Sequence, residues 1–251
     1  MITIKSDDEV KIMREAGRIV GQTLQKLVEA AQPGVVAKDL DRLVRKEYAR
    51  IGCVPTFLGY AQPPYPATLC FSVNEELVHG IPDKQVIREG DLISIDLGAT
   101  WKGFVGDSAV TFVAGAKPTE EQQRLIDVTR ESLWTGIRAA RAGVKLGVVS
   151  NAIGEYIESH GYGVVRQYVG HGVGRQMHEE PQVPNYGPAD RGVVLRKGMV
   201  LALEPMVTIG DHHTKVHEDG WTVSTIDGSL CAHFEHTIAI TEGEAEVLTL
   251  P

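Results

Sequence analysis

Ile87-Arg-Glu-Gly-Asp-Leu-Ile-Ser-Ile-Asp96 and Leu195-Arg-Lys-Gly-Met-Val-Leu-Ala-Leu-Glu204 are one pattern used twice, residue 96 falling on residue 204 at an offset of 108. In each copy a glycine precedes a short apolar run, which reads as a strand, and the run ends on a carboxylate. Side chains at i and i−2 share one face of a strand, so Ser94 and Ala202 leave space beside Asp96 and Glu204. A second pair behaves alike. Asp107 and Glu235 lie in the strand-like runs Val105–Val113 and Phe234–Ile240, each followed by small residues two and four places on. Two carboxylate pairs in register imply a duplicated unit whose halves meet about a twofold axis, bringing all four acids to one seam.

The flanking helices repeat in the same order. Ser6-Asp-Asp-Glu9 is a capping box, and Ile12, Ala16, Ile19, Thr23 and Leu27 follow at helical spacing until Pro33-Gly34. A second helix fits Lys38 to Ile51, with Leu40, Leu43 and Val44 inward and Gly52 as terminator. Thr119-Glu-Glu-Gln122 then caps a third helix ending near Gly143, and a fourth runs from about Val148 to His160 and stops at Gly161. Pro33-Gly34-Val35 matches Ala142-Gly143-Val144, and Gly52 matches Gly161, both shifted by 109. Phe57 to Pro66 is a loop rich in proline and aromatic residues. The expectation is one α+β domain over residues 1–251, with an internal repeat of roughly 7–115 and 119–248. Its two pseudo-symmetric lobes would share a largely antiparallel sheet flanked by helix pairs.

Bulk properties narrow the chemistry. A net charge of −8 disfavours nucleic acid as a partner, and 43% hydrophobic with 23% charged residues is ordinary globular composition. The first residues are charged rather than apolar, and no apolar run approaches membrane-spanning length. Cys53, Cys70 and Cys231 are odd in number and far apart, which argues against a disulfide framework or a cysteine-based zinc site. A reducing cytoplasm is the expected home.

Four buried carboxylates without a partner would place about −4 of charge in one cavity, and desolvation and repulsion would both oppose it. With His171 they make five donors, Asp96, Asp107, His171, Glu204 and Glu235, enough for two divalent cations. Asp107 and Glu235, or another pair, would then be shared between ions about 3.5–4 Å apart. Nearly all-oxygen ligation with one imidazole suits Mn²⁺, Fe²⁺ or Co²⁺ at least as well as Zn²⁺. A water bridging such ions would be a hydroxide near neutral pH. His79, in Val-His-Gly-Ile-Pro, and His178, in His-Glu-Glu-Pro, occupy segments unsuited to a packed interior, which places both at the site. His212, His213 and His217 fall in a polar stretch that reads as a solvated hairpin loop. Glu179 and Glu180 read as exposed or structural, and Asp7-Asp8 as helix N-terminal charge. Gly170-His-Gly-Val-Gly174 lacks the spacing of a dinucleotide loop.

In order and spacing, seven segments resemble the type I methionine aminopeptidases. They are Val73-Asn-Glu-Glu-Leu-Val-His-Gly-Ile-Pro82, Asp91-Leu-Ile-Ser-Ile-Asp96, Gly103-Phe-Val-Gly-Asp107, Tyr168-Val-Gly-His-Gly-Val-Gly-Arg175, Met177-His-Glu-Glu-Pro181, Leu203-Glu-Pro-Met206 and Glu235-His-Thr237. The resemblance implies the pita-bread fold and removal of the initiator methionine from nascent chains whose second residue is small. It implies two divalent ions (Co²⁺, Mn²⁺, Fe²⁺ or Zn²⁺), with Asp107 and Glu235 bridging and Asp96 on the metal nearer the substrate amine. Glu204 would be both ligand and proton shuttle. His79 would contact the scissile amide, and His178 would bond its carbonyl. Tyr60, Tyr65, Cys70, His79, Met177 and Trp221 would line the methionine pocket, whose polarisable walls suit a thioether. The partner implied is the N-terminal methionine of a nascent polypeptide, met with at most a transient ribosome contact, by a monomeric enzyme that binds neither nucleic acid nor membrane.

There are departures. The 57–65 loop is longer than in the compact forms, Phe57 stands where a cysteine is common, and Met177 where phenylalanine or methionine occurs. The stretch from His178 to Glu204 has no room for the type II insertion, and the N-terminus lacks a zinc-finger extension. A prolidase or Xaa-Pro aminopeptidase would share the ligands but carry a separate N-terminal domain, whereas here the repeat starts almost at once. A binding protein that had lost catalysis would lack a ligand, and none is missing.

Overall fold

Ser6 caps the first helix as its sequence requires: its hydroxyl accepts from Glu9 N at 3.2 Å, and the Glu9 carboxylate accepts from Ser6 N at 3.0 Å. The structure is a computed structural model that describes residues 1–251. Its helices are α1 (Asp7–Ala30), α2 (Ala37–Ile51), α3 (Glu120–Ala139) and α4 (Leu146–Ser159). Thr119 and Gln122 close the same reciprocal box at α3. Gly52 ends α2 in the left-handed region, at φ +80°.

Between the first two helices and α3 come β1 (Val54–Pro55), β2 (Cys70–Val73), β3 (Glu76–Val78), β4 (Leu92–Trp101) and β5 (Phe104–Val113). After α4 come β6 (Gly163–Val164), β7 (Gly170–Gly172), β8 (Glu179–Val183), β9 (Val200–Leu203) and β10 (Met206–Thr208). The last are β11 (Thr214–Val216), β12 (Val223–Thr225), β13 (Cys231–His233), β14 (Glu235–Ala239) and β15 (Glu246–Val247). The main sheet runs β1-β4-β5-β14-β9-β7-β8, with β2 added on β4 and β15 on β14. Every pairing in it is antiparallel. The centre of that order, β4-β5-β14-β9, is symmetric about the contact between β5 and β14.

Several backbone hydrogen bonds occur in pairs at a spacing of about 109 residues. Ala37 N donates to Gln85 O at 2.9 Å and Leu146 N to Val193 O at 2.8 Å. Ile87 N donates to Val35 O, and Leu195 N to Val144 O. Gly34 and Gly143, at φ +92° and +90°, donate to Ile87 O and Leu195 O, each at 2.9 Å. Each half has its own apolar core. One cluster of 19 buried residues joins α1 and α2 to β2 and β4, and one of 21 joins α3 and α4 to β9 and β14. α1 lies on β4 and β5 with almost no gap. A Cβ on Gly106 would come within 2.7 Å of Gly17 N, so residue 106 must be glycine for the layers to meet, whereas a Cβ on Gly17 would lie 2.2 Å from Leu248 O.

The contact between β5 and β14 carries a short ladder, Glu235 opposite Ala109 and His236 opposite Ser108. Hydroxyls reinforce it. Thr237 Oγ1 accepts from Asp107 N at 3.0 Å and donates to Asp107 O at 2.8 Å. Ser108 Oγ donates to Glu235 O at 2.6 Å, and Thr111 Oγ1 to His233 O at 2.7 Å.

Boundaries shift where local bonding outranks periodicity. α3 stops at Ala139 rather than near Gly143, because the chain must turn for the Gly143–Leu195 bond. α4 starts two residues earlier than expected, since Lys145 already bridges Val194. The stretch 210–220, expected to be loop throughout, contains β11, which pairs with β12.

Candidate metal centre

Register alone puts the acids side by side. Asp96 on β4 faces Cys70 on β2 and Ala109 on β5, and Ala109 faces Glu235 on β14. Residues opposite one another share a face, so Asp96 and Glu235 flank a small side chain across three strands. Two places along, Asp107 faces Gly98, and Thr237 faces Ala202, which faces His171 on β7. Glu204 follows directly after β9. Alanine, glycine and threonine between the acids leave the room their carboxylates occupy.

β7 is pressed between β8 and β9 because its ends are glycine. A Cβ on Gly170 would lie 2.4 Å from Ala202 O, and one on Gly172 2.3 Å from Glu180 O. His171 Nδ1 lies 2.9 Å from Gly172 O. A carbonyl oxygen can only accept, so Nδ1 carries the proton and Nε2 turns its lone pair toward the acids. That lone pair lies 3.5 Å from Glu204 Oε1 and 3.9 Å from Asp107 Oδ2. One donor atom each from Asp107, His171 and Glu235 falls within 4.8 Å of the others.

Asp96 Oδ1, Asp107 Oδ1 and Glu235 Oε1 are buried without any hydrogen-bond partner. Buried oxygens of this kind are costly unless a cation is near. Burial, followed by repulsion from neighbouring carboxylates, pushes Asp96, Glu204 and Glu235 well above the usual carboxylate range. Burial raises Asp107 to about 7 and lowers His171 to about 4, which keeps its imidazole neutral. Unpartnered oxygens, crowded negative charge and one aimed imidazole lone pair fit divalent cations.

The other expected residues surround this cluster. His79 follows β3 at φ +60° and sets its ring edge-on to Tyr168 and Trp221, with centroids 5.8 and 6.2 Å apart. Tyr65 meets Trp221 at 5.1 Å, and its hydroxyl donates to Gly80 O at 2.8 Å. Phe57, Tyr65 and Cys70 form one small buried cluster, against which Met177 and Trp221 pack. His178 stands just before β8 with its ring 4.3 Å from His171, and Tyr60 reaches it from the opposite side. A cavity of about 670 Å³ reaches His171 and His178 from the side of Lys5, Glu9 and Arg175, and none of the four carboxylates lines it.

A model of metallopeptidase family M24 matches residues 11–242. The chain is 51% identical over 251 residues to a methionine aminopeptidase of Clostridium acetobutylicum, spanning 100% of this chain and 99% of that one. The chain belongs to metallopeptidase family M24, among the methionine aminopeptidases. The crystal structure of methionine aminopeptidase from Thermotoga maritima superimposes with a TM-score of 0.97 at 49% identity, covering both chains completely. A prolidase from Pyrococcus horikoshii shares the fold at TM-score 0.78 and 25% identity, over 98% of this chain and 63% of that one. The expected pita-bread architecture, two lobes closing on a site, is the one shared with these relatives. As a family member, the chain is a metal-dependent hydrolase.

Three residues that the sequence reading passed over also belong to this M24 site. His233 is buried with neither ring nitrogen bonded, and its Nε2 lies 3.8 Å from Glu204 Oε2. Burial takes its imidazole down to about 3. Strand parity with Glu235 was the signal that could have found it. Thr237 holds the backbone of Asp107, as described above. Asn185 Nδ2 donates to Glu204 O at 3.0 Å, and nothing in its sequence context pointed there.

Elsewhere, His212 and His213 gather around Asp211 in an exposed turn. His217 Nε2 lies 2.8 Å from Ser224 Oγ. None of the three histidines joins the carboxylate cluster. Glu179 is structural, bound at 2.7 Å to the buried Lys5 ammonium, and Glu180 is exposed.

Proposed function

We propose that this chain removes the N-terminal methionine of nascent polypeptides whose second residue is small, at a pair of divalent cations. The observation that carries the reading is the convergence of unpartnered buried carboxylate oxygens on the free lone pair of His171. Asp96, Asp107, His171, Glu204 and Glu235 would hold the ions, Asp107 and Glu235 as the shared pair. The donor set suits Mn²⁺, Fe²⁺, Co²⁺ and Zn²⁺. When bound, such ions polarise a carbonyl and bring the ionisation of water toward neutral pH.

The protein supplies the rest. Glu204 spans the cluster and the imidazole of His233, which suits it to take a proton from water and pass it to the departing amine. His178, its ring 4.3 Å from that of His171, would donate to the scissile carbonyl as charge builds on its oxygen. His79 stands beside Trp221 to contact the scissile amide. Tyr65, Cys70, Met177 and Trp221 pack together, and with His79 beside Trp221 and with Tyr60 they would make a wall of rings and sulfur that suits a thioether. Trapping a methionine side chain there would leave its α-amine beside the acids.

Protein stripped of metal and reloaded with each ion separately should release methionine from Met-Gly-type peptides and leave Xaa-Pro peptides intact. Turnover of Xaa-Pro substrates alone would replace this reading with that of a prolidase.

A further inference from the structure

The 57–65 loop folds back on itself. Gly59 N donates to Tyr65 O and Tyr65 N to Tyr60 O, each at 2.8 Å, and Tyr60 N donates to Phe57 O at 3.0 Å. Its base is anchored. The Phe57 ring packs so closely on β4 that a Cβ at Gly98 would meet it at 2.7 Å. Gly59 and Ala61, on either side of Tyr60, take φ +81° and +62°. Ala61 has a Cβ, so this backbone costs of order 1 kcal/mol. The result is a phenol held against His178, its hydroxyl 2.5 Å from Nδ1 and the two rings inclined at 45°.

A neutral imidazole has one donor nitrogen and one acceptor nitrogen, and its partners decide which is which. A phenol O–H is far more acidic than a neutral imidazole N–H, so the shared proton sits on the tyrosine and Nδ1 accepts it. We propose that Tyr60 is a positioning residue, donating to His178 Nδ1 and thereby fixing the imidazole proton on Nε2, the ring nitrogen this bond leaves free. His178 can then only donate at Nε2, as a developing oxyanion requires. The oxyanion contact rests on the proposed aminopeptidase activity. The tautomer belongs to the protein alone.

The test uses Zn²⁺-loaded protein with ¹⁵N-labelled histidine, in the wild type and in Tyr60→Phe, which keeps the ring and removes the hydroxyl. In the wild type, His178 should show its proton on Nε2 and an Nδ1 resonance shifted as an accepting nitrogen. In Tyr60→Phe that shift should vanish. With a Met-Gly-type peptide, kcat should fall about tenfold with KM within about twofold, a fraction of the ~10²–10⁴ that a positioned acid–base group contributes. A wild-type proton on Nδ1, or a His178 spectrum unchanged by Tyr60→Phe, overturns the proposal. So does a rise in KM without a fall in kcat, which would make Tyr60 pocket wall alone. The wild-type spectrum decides the tautomer even if Tyr60→Phe does not fold. Wild-type protein that shows the Nε2 tautomer and cleaves no methionine peptide would sink the functional reading and leave the tautomer standing.

Discussion

Glu204 faces two imidazoles, its Oε1 3.5 Å from His171 and its Oε2 3.8 Å from His233. Removing that side chain takes away a cation ligand and the proposed proton carrier together. Glu204→Ala is expected to keep the fold, since it also relieves repulsion among buried acids, and to lower kcat by at least ~10³. Circular dichroism with a peptidase assay checks both halves; substantial turnover at normal metal content would remove Glu204 from the mechanism. The sequence disclosed this residue because its copy at Asp96 stood in register. It hid His233 because the chain reads Cys-Ala-His-Phe-Glu, in which a histidine between apolar neighbours passes for core. Tyr60 was legible as an aromatic near the site, but its bond to His178 joins residues 118 apart and has no local signature.

Among the elements, the contact of α1 with β5 tolerates no added atom at Gly106. Gly106→Ala would drive a methyl into the α1 backbone, and the expected loss is about 2 kcal/mol, within the ~1–3 kcal/mol usual for overpacking. Urea unfolding at constant slope measures it, and an unchanged midpoint would mean that α1 shifts freely on the sheet. Thr237→Val tests the stitching between β5 and β14. It removes both bonds to Asp107 at equal volume and strands two backbone groups, for about 2 kcal/mol. Metal affinity should fall as well, because Asp107 is held through that backbone; calorimetric titration would expose an unaffected site. The four helices and four central strands were readable because capping boxes, glycine stops and apolar runs are local signals. Three-residue strands such as β7 and β10 were not, since tertiary packing rather than propensity defines them.

At the scale of the whole molecule, the charge of the site couples stability to pH and to metal. Asp96, Asp107, Glu204 and Glu235 have folded-state pKa values above their unfolded ones. The stability they lend is complete below about pH 4 and is lost as pH rises through the folded values, about 7 for Asp107 and well above the ordinary carboxylate range for the others. The buried histidines act oppositely. His79, His171 and His236 fall to about 4 and His233 to about 3, so their stability is present above about pH 6.5 and lost as pH falls toward 4. Between about pH 4 and 6.5 the two sets oppose each other, and above that only the carboxylates still titrate, so chelated protein should lose melting temperature as pH rises beyond about 6.5. Saturating divalent metal should abolish the alkaline loss, because bound cations keep the carboxylates ionised at no penalty. Scanning calorimetry across pH with and without EDTA checks this; equal alkaline slopes would show that the acids hold no cation.

The paired bonds Ala37–Gln85 and Leu146–Val193 repeat one arrangement within a single chain. Two identical halves would meet as a symmetric dimer, and every rim residue would then occur twice around the cleft. A single chain is free of that restriction. At the shift of 109, His171 corresponds to Gln62 and Tyr65 to Gly174, so the cleft has acquired a front and a back. A peptide, whose two ends differ, can then be seated in one direction only.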